Sequence, residues 1–149
     1  MKQCSKIVVF IVLAAFCFAC ENNYISPIPD MPVVLDIVIM SDAPELNVIG
    51  GFKEFVEPKS AFQYLGYGGI VVFRSFDDNF VAFDMACPYE IKRDVRVAVD
   101  MSGVAVCSVC GSKFDVGYGT GMPSQGPAKY PLRRYKVYPY GTDKLRIYQ

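Results

Sequence analysis

The sequence predicts an all-β domain, a small sandwich or barrel. Short runs rich in Val, Ile, Tyr and Phe recur along the chain, separated by Gly, Pro, Asn and Asp. That is the rhythm of strands and turns. Ten Tyr and eleven Phe accompany the β-branched residues, and such side chains suit a pleated, half-buried surface. Against these runs stands a single candidate helix, Lys59–Leu65.

Taken in order, Val33–Met40 is a β-branched run closed by the turn-forming Ser41-Asp42-Ala43-Pro44. Leu46–Phe55 is expected to add a strand interrupted at Gly50-Gly51. Lys59–Leu65 lies between Pro58 and Gly66 and reads as a helical turn or two. Ile70–Phe76 and Phe80–Met85 flank Asp77-Asp78-Asn79, a short polar turn that fixes a hairpin. Val95–Asp100 alternates valine with other residues, so its valines face inward. Ser102-Gly103 turns the chain into Val104-Ala105-Val106, which delivers it to Cys107. Leu132–Tyr138 and Leu145–Tyr148 pair across residues 139–143.

The chain has 149 residues, a one-domain length. Lys2 and Lys6 precede an unbroken apolar run from Ile7 to Cys20, the form of a secretory signal. The run is shorter than the ~20 apolar residues of a membrane-spanning helix. Ala19-Cys20 followed by Glu21-Asn22-Asn23 resembles a bacterial lipoprotein cleavage site. The expected organisation is a signal peptide over residues 1–19, a lipid-anchored, Pro-rich tether over 20–32, and a β domain over 33–149. Cys20 is the expected lipidation site. Pro27, Pro29 and Pro32 keep the tether extended. A domain of the remaining size buries roughly two-thirds of its unfolded surface, enough to fold without metal or disulfide.

Fifteen basic and fifteen acidic residues give zero formal charge, so no electrostatic footprint for nucleic acid is present. Lys129, Arg133, Arg134 and Lys136, threaded with Tyr130, Tyr135, Tyr138 and Tyr140, read as a solvated strand face. Asp77-Asp78 and Asp84 are explained by a turn and a hairpin face rather than by an acid pair. Gly117–Gly121 lacks the helix start of a phosphate loop and reads as a plain loop. The chain contains no histidine, which excludes Ser–His–Asp and Cys–His nucleophiles.

Six cysteines are present. Cys4 and Cys17 would leave with the signal and Cys20 would carry lipid, leaving Cys87, Cys107 and Cys110. Cys87-Pro88-Tyr89 is followed, after seventeen residues, by Cys107-Ser108-Val109-Cys110-Gly111-Ser112-Lys113-Phe114-Asp115. This layout resembles the Rieske iron–sulfur domain, whose pattern is C-x-H followed by C-x-x-H-G-S-x-[YF]-D. Gly126-Pro127-Ala128 is similar to the family's proline loop, which covers the cluster. In that family two Cys hold one iron and two His hold the other. Here Tyr89 and Cys110 stand at the histidine positions. The resemblance implies a Rieske-like small sandwich or barrel with an inserted cluster-binding subdomain. It makes Cys87 and Cys107 the matching cysteine ligands, and Gly111 and Ser112 the cradle that tunes bound sulfur.

Four outcomes stay open for the three thiols. One is an atypical [2Fe–2S] cluster on Cys87, Cys107, Cys110 and a fourth ligand such as Tyr89 or Glu90; phenol, with a pKa of ~10, makes Tyr89 the weaker donor. A second is tetrahedral Zn²⁺ on three Cys and one oxygen. A third is a disulfide from Cys87 to Cys107 or Cys110. The last is a metal-free scaffold that binds a partner. The resemblance favours iron–sulfur over zinc. It implies a protein that passes single electrons to a redox partner without transforming a substrate itself. With the leader, the expected place is the envelope of a Gram-negative bacterium, on the membrane through Cys20.

Overall fold

The structure, a computed structural model, describes residues 26–149. The expected signal segment and Cys20 lie outside the described residues. Among those described, eleven strands form two antiparallel sheets, and the only helical elements are single turns. The all-β expectation is met.

The body is built from β1 (Val33–Val38), β2 (Phe52–Phe55), β3 (Tyr64–Leu65), β4 (Ile70–Arg74), β5 (Phe80–Asp84), β10 (Arg134–Tyr140) and β11 (Lys144–Tyr148). They form one sheet in the order β2-β4-β5-β10-β11-β1-β3, which curls into a nearly closed barrel. Between β5 and β10 the chain leaves the body to make a second, four-stranded sheet. Its strands are β6 (Val97–Val99), β7 (Val104–Cys107), β8 (Lys113–Asp115) and β9 (Pro123–Gln125), paired in sequence order. This is the inserted subdomain that the family resemblance implies.

The β4–β5 hairpin is the wall between two cores. Ile70, Val72 and Ala82 face the barrel interior with Leu35, Ile37 and Ile147. Val71, Phe73 and Phe83 face the inserted sheet, against Val97, Cys107 and Phe114. Both faces of β4 are covered, so Ile70-Val71-Val72-Phe73 shows no polar alternation. Val97 and Val99 point inward while Ala98 is exposed, as their alternation predicts. The base of the inserted sheet is fixed by Phe76: its N–H donates to Gly117 O, and its ring meets Phe73 and Tyr118 edge-on.

Two expectations fail in the segment between β1 and β4. Leu46–Gly51 is not strand. A helical turn, α1 (Ile39–Asp42), and a 3₁₀ turn over Pro44–Asn47 follow β1 directly. Pro44 presets the first position of the 3₁₀ turn, and the Arg74 guanidinium caps the Leu46 and Asn47 carbonyls at 3.1 Å each. Lys59–Leu65 is not helix either. Gln63 folds its side-chain oxygen onto the Lys59 N–H, and Tyr64–Leu65 pairs with Val33–Val34 as β3. At the end of the expected tether, Ile28 is buried and its carbonyl accepts from Arg133 Nη1. Arg133 also bridges to Asp30, so this arginine serves the N-terminal segment rather than an open basic face.

Candidate metal centre

Two tight loops at one end of the inserted sheet carry the cysteines, and they share one backbone design. In the first, Ile91 N–H donates to Cys87 O at 2.9 Å, and Ile91 takes a left-handed φ of 53°. In the second, Gly111 N–H donates to Cys107 O at 2.9 Å, and Gly111 has φ 72°. Each cysteine thus opens a turn that closes on the fourth residue along. An added Cβ on Gly111 would meet nothing within 4 Å, so glycine is required there by backbone conformation alone. Ile91 bears the same conformation with a branched side chain, at a cost on the order of 1–2 kcal/mol.

The turns bring the sulfurs of Cys87, Cys107 and Cys110 within 4.8 Å of one another. Cys87 Sγ and Cys110 Sγ are 3.7 Å apart. A tetrahedral ion with bonds of ~2.3 Å spaces its thiolates about 3.8 Å apart, so this edge has the length a single metal ion needs. Cys87 and Cys107 are fully buried and Cys110 is partly exposed, giving the centre one open side.

Cys87 and Cys110 differ electrostatically. Burial pushes the Cys87 thiol up to about 12, although backbone N–H groups of Glu90 and Tyr89 pull the other way. Burial also acts to raise Cys110. There, hydrogen bonds from the Ser112 hydroxyl and backbone N–H outweigh it, and the thiol is held below its ordinary value. Of these two, Cys110 ionises first.

Ser112 links the second loop to its cover. Its Oγ lies 3.2 Å from Cys110 Sγ and accepts from Ala128 N–H at 3.1 Å. Gly126, with φ 92°, lies against Ser112, where a Cβ would stand 2.5 Å from Ser112 Cα. The Gly126-Pro127-Ala128 loop is thus pinned over the second cysteine loop through one buried serine. Gly111 gives its N–H to Cys107 O rather than to a sulfur.

Tyr89 is 53% exposed. Glu90 is half-buried, and its carboxylate lies outside the 4.8 Å group.

One polar centre has no local signature in the sequence. Asp84 is fully buried and accepts from the N–H groups of Tyr67, Gly68 and Ala86 and from Tyr135 OH, all at 2.7–2.9 Å. Burial, then the Asp84 charge, drives the Tyr135 phenol far above its ordinary value, so it stays protonated as a donor. This carboxylate ties β5, β10 and the segment before β4 together, and it holds the N–H of Ala86, the residue before Cys87.

No family model and no curated protein matches the chain. Among solved structures, a chain from the complex of reduced oxygenase and oxidized ferredoxin in carbazole 1,9a-dioxygenase is 20% identical, with a TM-score of 0.48. The match covers 76% of this chain and 99% of that one.

Proposed function

We propose that this chain is a metal–thiolate protein of a Gram-negative cell envelope that passes single electrons to a redox partner protein. The observation that carries the reading is the convergence of three thiols within 4.8 Å at a loop end, with Cys110 on the open side. Cys87 and Cys107 also pack in one of the two apolar cores, but packing does not account for a third, partly exposed thiol beside them. Iron held there supplies one-electron chemistry. Cys87 and Cys107 fix the metal from the buried side, Cys110 faces the partner, and Ser112 orients the Cys110 sulfur. The resemblance of Ser112 and Gly126-Pro127-Ala128 to the Rieske cradle supports iron over zinc, and thiolate in place of histidine implies a potential below that of ordinary Rieske centres.

Anaerobic purification followed by elemental analysis and redox titration tests this. Bound iron with a reversible one-electron transition, lost in Cys110→Ser, is expected. Protein that takes up neither iron nor zinc on anaerobic reconstitution contradicts it. The envelope assignment rests on the leader and Cys20: Cys20→Ser should move the protein from the membrane to the soluble fraction. Membrane association unchanged by that substitution would refute the anchor.

The 3.7 Å approach of Cys87 and Cys110 favours one second reading. In an oxidising compartment these two sulfurs need move by roughly 1.7 Å to reach a disulfide length of ~2.05 Å. Cys107 would remain a free thiol. A mass lower by two hydrogens, restored by reductant and mapped to these two cysteines, identifies that state.

A further inference from the structure

Resting on the reading of the thiols as a metal centre, we infer that the centre is mononuclear and that Glu90 supplies its fourth ligand. The two cysteine loops repeat one another. Each begins at a buried cysteine whose carbonyl accepts the N–H of the fourth residue along, and that residue is left-handed, Ile91 in one loop and Gly111 in the other. Superposing the repeats in sequence sets Cys87 on Cys107 and Glu90 on Cys110. The second loop uses its first and fourth residues as donors. The equivalent pair in the first loop is Cys87 and Glu90, and Tyr89 falls on Val109, which points to solvent with 61% of its surface exposed.

The surroundings of Glu90 agree with this. It is half-buried, and no hydrogen bond or ion pair involves its carboxylate among the described residues. No buried side-chain oxygen among the described residues lacks a partner, so the unpartnered Glu90 oxygens reach solvent and are accessible to a cation beside three thiolates. The carboxylate is not within the sulfur group, so ligation requires its side chain to turn toward the sulfurs when the ion binds.

The sulfur spacing decides nuclearity. Thiolates on the two irons of a binuclear core are held apart by the iron–iron vector in addition to the two bonds. Thiolates on one tetrahedral ion lie about 3.8 Å from each other. Cys110 would be the thiolate of the second iron, yet it lies 3.7 Å from Cys87 and within 4.8 Å of Cys107. The set Cys87, Cys107, Cys110 and Glu90 gives three sulfurs and one oxygen around one ion, with a charge of minus four before the metal is counted. That donor set suits Fe²⁺ or Zn²⁺.

The test uses the full chain, reduced and metal-free, loaded anaerobically with Fe²⁺ in the presence and absence of sulfide, and separately titrated with Co²⁺. One iron per chain without acid-labile sulfide is expected. Co²⁺ should bind once per chain; Glu90→Gln should weaken it about tenfold or more, on the scale of ligand-shell changes, while Tyr89→Phe leaves it unchanged. Glu90→Cys should add a further thiolate to the cobalt charge-transfer spectrum and tighten binding, a gain that a misfolded variant cannot give. Two irons and two sulfides per chain overturn the mononuclear assignment. Glu90 variants with wild-type affinity and spectrum overturn the ligand assignment. Both results leave the metal centre standing; a chain that binds neither ion fails at the earlier reading instead.

Discussion

At the residue scale, the metal centre depends on how differently the protein treats chemically identical thiols. Cys87 is sealed and kept protonated, whereas Cys110 is supported as a thiolate by Ser112. Because metal binding displaces these protons, affinity should fall as pH falls, and proton release on loading, measured in weakly buffered solution, should accompany it. Metal-free protein should show the complementary effect. Cys87 is raised from 9.0 to about 12 by burial. Between those values the unfolded chain has lost the proton and the folded chain has kept it, so stability contributed by this group is full below pH 9 and falls as pH rises towards 12. Urea midpoints across that range should decline less in Cys87→Ala than in the unaltered protein. Ser112→Ala removes both the Cys110 partner and the acceptor of the Ala128 N–H. It should cost about 1–3 kcal/mol in metal-free protein and weaken metal binding roughly 10–100-fold, read by denaturation and by titration.

At the scale of elements, Asp84 holds the backbone that leads into the first cysteine loop, and the Gly126-Pro127-Ala128 loop is pinned to the second through Ser112. Asp84→Ala leaves the N–H groups of Tyr67, Gly68 and Ala86, the last two buried, without their acceptor and should cost on the order of 3 kcal/mol or more. Tyr135→Phe removes one donor and leaves the other three in place, so its cost should be about 1–2 kcal/mol; thermal unfolding of the pair measures the difference. The strands were legible where burial is one-sided or two-sided along a whole run, as in Val97–Val99 and Ile70–Phe73. The segment from Leu46 to Leu65 was not, because its conformation is set by partners distant in sequence: Arg74 on the Leu46 and Asn47 carbonyls, and Val33–Val34 alongside Tyr64–Leu65. Asp84 escaped notice for a similar reason. On a hairpin strand it looks like a surface acid, and its four donors come from residues 67, 68, 86 and 135. The cysteines and Ser112 were readable from spacing. The equivalence of Glu90 with Cys110 emerges only from the left-handed φ of Ile91, which no local residue preference announces.

At the scale of the whole molecule, the two cores divide the work. The barrel packs around Leu35, Ile37, Leu145 and Ile147, independently of the sulfurs. The inserted sheet shares its core with Cys87 and Cys107, so metal bound there stabilises that half most directly. At a free metal concentration one hundred times Kd, loading should add about 2.7 kcal/mol to the stability of the cooperative unit. Chelation should therefore speed hydrogen exchange at Val97, Cys107 and Phe114 while the amides of Leu35 and Ile147 change little, provided the sheet opens as a sub-global unit. The most direct test of the account is metal-edge X-ray absorption on the zinc-loaded full chain. Three sulfur neighbours at about 2.3 Å and one oxygen at about 2.0–2.2 Å are expected. A shell of oxygen and nitrogen alone would contradict a centre built on Cys87, Cys107 and Cys110.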